Sequence, residues 1–134
     1  ITHKDMTRFV IKLEEGVNFV LSSLDIMNGG EIFVPKIPSV KIIDLAKIIL
    51  PNSKIKFIGI RPGEKLHEVL ISRDESDSIY SMSDRYIVKP NLSYFKSKIN
   101  KKLKIKKLDI NFKFSSNLKG ALLNINAIKK KFRF

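Results

Sequence analysis

The chain has 134 residues, 43% of them hydrophobic, which suits one domain with its own core and argues against wholesale disorder. It contains no cysteine, so disulfides, thiolate metal sites and a cysteine nucleophile are excluded. The net charge of +13 is uneven: residues 91–134 hold thirteen Lys or Arg against one acid, Asp109, while residues 1–90 hold thirteen against twelve. The longest apolar runs fall short of the roughly 20 residues that span a bilayer, and no secretory leader is visible, so a cytoplasmic setting is expected.

In chain order, Met6 to Ile11 has strand-forming residues, with Arg8 on the face opposite Phe9. Lys12 to Met27 carries Leu13, Val17, Val20, Leu21, Leu24 and Met27 along one face of a helix, with Glu14 and Glu15 in its first turn and Asn28-Gly29-Gly30 beyond its end. This helix is expected to be structural, without a catalytic role. Glu31 to Pro35 reads as a short strand and Ser39 to Ile42 as a brief extended piece. Ile43 to Leu50 is a second helix, stopped by Pro51, and Lys54 to Ile60 is an apolar run expected to form a buried strand.

That run feeds the stretch Arg61-Pro62-Gly63-Glu64-Lys65-Leu66-His67-Glu68. A strand that ends in a sharp turn and hands over to a helix is a common place to hold a ligand in an α/β protein. Arg61 suits a phosphate, because its planar fork donates two parallel hydrogen bonds. Glu64 only accepts, which suits a sugar hydroxyl. The plainer reading is a Pro-Gly turn with a surface ion pair. Leu66, Val69 and Leu70 are expected to form one face of a short helix. His67 reads as a hydrogen-bonded surface residue, since no partner histidine stands at ligand spacing.

Beyond it, Arg73 to Asp77 is a charged turn, and residues 78–83 and 86–88 form the arms of a hairpin. Residues 91–110 alternate Lys with Ile or Leu without a decisive period. Phe112 to Phe114 is a last extended piece, Ser115 to Asn117 offers helix caps, and Ala121 to Lys131 a terminal helix. The basic tail has two readings: codon bias toward Ile, Asn and Lys, or a module gripping nucleic acid or an anionic membrane surface. The few aromatic residues near it lack the spacing of a base-stacking platform, so no specific nucleic-acid partner is expected.

The chain contains no Gly-rich loop after a strand. It carries no self-sufficient catalytic set and no metal-ligand set, and it reads as a substrate-holding piece.

Several segments carry a family likeness in order: Met6-Thr7-Arg8-Phe9, Gly16-Val17 with Phe19-Val20-Leu21, Gly29 to Pro38, Asp44-Leu45-Ala46, and Gly59 to Val69. Together they resemble the C-terminal part of the inverting UDP-N-acetylglucosamine 4,6-dehydratases, extended short-chain dehydrogenase/reductase proteins of surface-polysaccharide and pseudaminic acid biosynthesis. The resemblance implies an α/β fold: the C-terminal substrate-binding lobe of an extended Rossmann-type protein, lacking the cofactor-binding sheet. Residues 1–90 would be the nucleotide-sugar-binding lobe and residues 91–134 a basic C-terminal extension with a terminal helix. By the same resemblance Arg8 and Arg61 would contact the UDP diphosphate and Glu64 the uridine ribose. The parent enzyme would use NADP, held with the catalytic residues by an N-terminal Rossmann domain missing here, so this chain alone would bind no cofactor and perform no catalysis. UDP-N-acetylglucosamine, that missing domain and further copies in a homo-oligomer are the expected partners. A fragment of a longer protein is the favoured expectation, over a split gene product or an inert remnant.

Overall fold

A computed structural model describes residues 1–90, 104–109 and 111–133. The alternating Lys and Ile/Leu stretch therefore lies mostly outside the described residues. In chain order the elements are β1 (Thr7–Phe9), α1 (Leu13–Leu24), β2 (Ile32–Pro35), β3 (Ser39–Lys41), α2 (Ile42–Ile49), β4 (Val69–Ile71), a 3-10 turn (Arg73–Ser78), β5 (Ile79–Ser81), β6 (Arg85–Val88), β7 (Lys106–Lys107), β8 (Phe114–Ser115) and α3 (Ile125–Phe132). The chain folds into two compact units, each discontinuous in sequence.

The first unit comprises Ile1–Lys12, Ile37–Val69 and Ser115–Phe134. Its centre is the antiparallel pair β1–β3, in register Thr7↔Lys41, Arg8↔Val40, Phe9↔Ser39. Met6, Thr7, Ser39 and Val40 are buried there, and Ile128 of α3 is buried as α3 packs on α2. The cap of α3 is Asn124, whose side chain accepts a hydrogen bond from the Ala127 amide at 2.9 Å. Ser115 to Asn117 caps no helix; two of its three residues are buried instead.

The second unit comprises Leu13–Lys36 and Leu70–Phe114. Here an antiparallel sheet of order β2-β6-β5-β7 is built around the expected hairpin, with Ile79↔Val88 and Ser81↔Tyr86 across β5 and β6. Ile32↔Val88 and Pro35↔Arg85 set β2 at the outside of that order, where a proline breaks no ladder on its free side. Val34, Ile71, Ile79, Ile87, Val88 and Phe114 are buried, and Tyr86 meets the rings of Phe112 and Phe114 at 4.9 and 5.2 Å. Helix α1 attaches to this sheet by a polar face. Arg85 of β6 is buried and donates to the hydroxyls of Ser23 (2.7 Å) and Ser22 (2.6 Å), and its guanidinium stacks on Phe19 at 4.6 Å. The carboxylate of Asp84 closes the cluster at 2.7 Å from Arg85 Nη2. That hydrogen bond holds the Asp84 carboxyl below its ordinary range, against the opposing effect of partial burial.

Two expectations, for the residues before and after the Arg61 turn, are corrected, while the stripe of α1 keeps its expected period. The apolar stripe of α1 has the right period but faces solvent: Leu13 is 85% exposed, Val20 58% and Leu24 59%. Only Ser23 is buried on this helix, because no apolar layer among the described residues covers the stripe. The run Lys54 to Ile60 is not a buried strand; Phe57 is 48% and Ile58 56% exposed. A strand exists through its ladder. Among the described residues this run meets backbone only at Ile1, which donates to the Lys56 carbonyl and accepts from the Ile58 amide, both at 3.0 Å. Finally, Val69 to Ile71 is strand β4, and Leu66 to Leu70 forms no helix.

Candidate functional site

The Arg61 stretch lies within the first unit, beside β1. Pro62 and Gly63 occupy the two central positions of a turn in which the Glu64 amide donates to the Arg61 carbonyl at 3.0 Å. Gly63 has φ +80°, the value a type II turn requires at its third residue. The Glu64 carboxylate folds back on the same turn, accepting from the Arg61 amide at 3.2 Å through one oxygen and from the Thr2 hydroxyl at 3.2 Å through the other. The Arg61 side chain projects from this turn, exposed and unpaired among the described residues.

Past the turn the chain runs along β1, where the Thr7 amide donates to the Leu66 carbonyl at 3.1 Å. That alignment brings Arg8 onto the Arg61 stretch. Its Nη1 donates to the carbonyls of Thr7 (2.7 Å) and Leu66 (3.3 Å). Its Nε stands 3.4 Å from Glu68 Oε1 and its Nη2 3.9 Å from Glu64 Oε1. All three side chains are partly exposed, at 24% for Arg8, 26% for Glu64 and 42% for Glu68, so these ion pairs are weak and exchangeable.

Below Arg8 lies a hydroxyl network. Thr7 Oγ is 2.8 Å from His67 Nδ1 and 2.6 Å from Ser116 Oγ. Ser116 Oγ also accepts from the Glu68 amide at 2.9 Å and lies 3.2 Å from the Thr7 carbonyl oxygen. His67 is thus the hydrogen-bonded residue its context suggested. Among the described residues no group of three or more His, Asp or Glu side chains can hold a metal ion.

Arg8 and Glu64, two of the three residues singled out in the sequence, come together. Arg61 shares the turn with Glu64 through its backbone, while its guanidinium has no partner among the described residues. Glu68, Thr7 and Ser116 belong to the same constellation and were not singled out. Glu68 had a signal, being four residues after Glu64 in a charged stretch. Thr7 precedes Arg8 and carried none beyond strand propensity. Ser116 stands 109 residues from Thr7, and nothing in the sequence links them.

The model of a family described as polysaccharide biosynthesis protein matches residues 1–90, which are the stretch that carries Arg8, Arg61, Glu64 and Glu68. The chain belongs to this family. Among its relatives, the UDP-N-acetylglucosamine 4,6-dehydratase (inverting) of Campylobacter jejuni subsp. jejuni serotype O:2 is 54% identical over 94 residues, covering 70% of this chain and 28% of the relative. A UDP-glucose 4-epimerase of Rickettsia canadensis is 36% identical over 116 residues, covering 81% of this chain and 34% of the relative. The chain thus spans about a third or less of the curated relatives it matches. The solved structure of Pen from Bacillus thuringiensis superposes with a TM-score of 0.79 at 24% identity, over 99% of this chain and 40% of that one. That likeness shows a shared α/β fold. No helix among the described residues is long and apolar enough to cross a membrane.

Proposed function

We propose that this polysaccharide biosynthesis family member is the substrate-holding portion of a C5-inverting UDP-N-acetylglucosamine 4,6-dehydratase, and that it binds the UDP moiety through Arg8, Arg61 and Glu64. The observation that carries this reading is the 54% identity to the Campylobacter dehydratase, together with a guanidinium at Arg61 that is unpaired among the described residues, on the turn that also holds Glu64 of the Arg8–Glu64 pair. Arg61 offers a free planar fork to a phosphate. Arg8 supplies a second cation once its long contacts to Glu64 and Glu68 yield to phosphate oxygens. Each charged hydrogen bond so formed contributes about 1.5–3 kcal/mol. Glu64, held by the turn itself, presents acceptor lone pairs to a ribose hydroxyl.

A dinucleotide cofactor does not fit this chain. Its positive-φ glycines, Gly29, Gly30, Gly59 and Gly63, lie in connecting segments, and none stands between a strand and a following helix. Phosphate cradles of the dinucleotide type need that strand–glycine–helix order. In this reading NADP and the groups that move hydride and protons belong to a cofactor domain outside these residues, and this chain holds substrate without catalysing alone. The product then serves surface glycan or pseudaminic acid synthesis in the cytoplasm.

Calorimetric titration of UDP into the chain tests the reading. Wild-type protein is expected to bind, Arg61→Ala to lose detectable binding, and Glu64→Ala to bind more weakly. A folded chain that binds no UDP, alone or co-expressed with a cofactor domain, overturns it.

A further inference from the structure

Ser116 lies outside the family-matched residues 1–90, and it is fully buried. Its backbone amide donates to the Glu68 carbonyl at 2.8 Å, and its Oγ accepts from the Glu68 amide at 2.9 Å. The same Oγ is 2.6 Å from Thr7 Oγ and 3.2 Å from the Thr7 carbonyl oxygen. One side chain from the far end of the chain thus grips two residues that hold Arg8. The Thr7 carbonyl anchors Arg8 Nη1, and the Glu68 carboxylate faces Arg8 Nε.

The proton count of this network closes. With a proton on His67 Nδ1, the imidazole donates to Thr7, Thr7 donates to Ser116, and Ser116 donates to the Thr7 carbonyl. With Nδ1 unprotonated, Ser116 donates to Thr7 and Thr7 to the imidazole. In both directions each hydroxyl has an acceptor and Ser116 still accepts from the Glu68 amide. A buried network satisfied throughout is rigid, and rigidity behind a partly exposed arginine is what orients its donors.

We propose that Ser116 is a positioning residue of the candidate site: it acts through Arg8, by fixing Thr7 and Glu68, which meet the guanidinium at Nη1 and Nε, and it never touches the ligand. The inference rests on the nucleotide-sugar reading above. It adds that the site is incomplete without the segment around Ser116.

The experiment is a double-mutant cycle in the full 134-residue chain, read by UDP affinity. Ser116→Ala is expected to weaken UDP about five- to tenfold in the wild-type and Arg61→Lys backgrounds, and less than about twofold in Arg8→Ala, where nothing is left to position. Ser116→Cys, close in volume but a poorer hydrogen-bonding group, gives the same pattern at smaller size and serves if the alanine variant melts too low. The ligand-free readout is the Arg8 Nε–H signal by NMR, which shifts and exchanges faster with water in both Ser116 variants. Equal losses in the Arg8→Ala and Arg61→Lys backgrounds overturn the proposal, as does an unchanged Arg8 Nε–H signal. If UDP binds no variant, wild type included, the nucleotide-sugar reading fails and the Arg8 signal alone decides the positioning claim.

Discussion

Two arginines, one in each unit, show how the same side chain is closed in one place and left open in another. Arg85 is buried, with every nitrogen committed: Nε to Asp84 at 3.1 Å, Nη1 to Ser23 at 2.7 Å, and Nη2 to Ser22 at 2.6 Å and Asp84 at 2.7 Å. Ser22 and Ser23 also donate to the Phe19 carbonyl, at 3.1 and 2.7 Å, so their hydroxyls are held before Arg85 arrives. Arg8 keeps 24% of its side chain exposed, and its carboxylate partners stand at 3.4 and 3.9 Å. Short, shielded contacts make Arg85 a structural bolt between β6 and α1. Long, partly exposed carboxylate contacts leave Nε and Nη2 of Arg8 able to exchange partners while Nη1 stays anchored on the Thr7 carbonyl, which is the property a ligand site needs.

The contrast breaks most sharply under truncation. Arg85→Ala is expected to lower stability by about 3 kcal/mol in urea denaturation, since it removes the donor to two serine hydroxyls and the contact with Phe19 and leaves a cavity. Arg8→Ala should cost less than about 1 kcal/mol in the same assay, while weakening UDP at least about tenfold by calorimetry. Matching stability losses in the two variants, or a loss of UDP affinity only in Arg85→Ala, would erase the distinction between bolt and site.

A smaller effect is expected at Gly63, which sharpens the site half of the comparison. An added Cβ meets no neighbour there, so Gly63→Ala is strained only through its φ of +80°. The cost should be about 1 kcal/mol of stability, with UDP affinity reduced because the turn that aims Arg61 relaxes. A variant that binds and melts like wild type would show that the turn does not orient Arg61.

The smallest effect concerns acid. The Arg85 hydrogen bond lowers the Asp84 carboxyl below its ordinary value of 3.8. A lowered folded value means that the stabilisation is fully present above the ordinary carboxylate range and is lost as pH falls through the folded value. Wild type should therefore lose stability below about pH 4, and Asp84→Asn should flatten that part of the profile. Identical acid profiles would remove Asp84 from the account of the bolt.

Much of the secondary structure was legible. The period of α1, the hairpin β5–β6 and helix α2 all depend on local propensity and spacing, which neighbouring residues carry between them. What the stripe on α1 would face was not legible. Period says that a face exists and says nothing of whether this chain covers it, and here Ser22, Ser23 and Phe19 take the inner side. The run Lys54 to Ile60 failed for a related reason, because a ladder needs a second strand and alternation cannot supply one.

By itself, the sequence determined the family, the Pro-Gly turn that presents Arg61, and the choice of Arg8, Arg61 and Glu64 as candidates, since residue type and short-range order suffice for these. Only the tertiary structure decided that Arg8 stands between Glu64 and Glu68, that His67 and Thr7 lie beneath it, and that Ser116 secures them. Those contacts join residues as far apart as 109 positions, and they arise when β1, the Arg61 stretch and the Ser116 segment pack together in one unit.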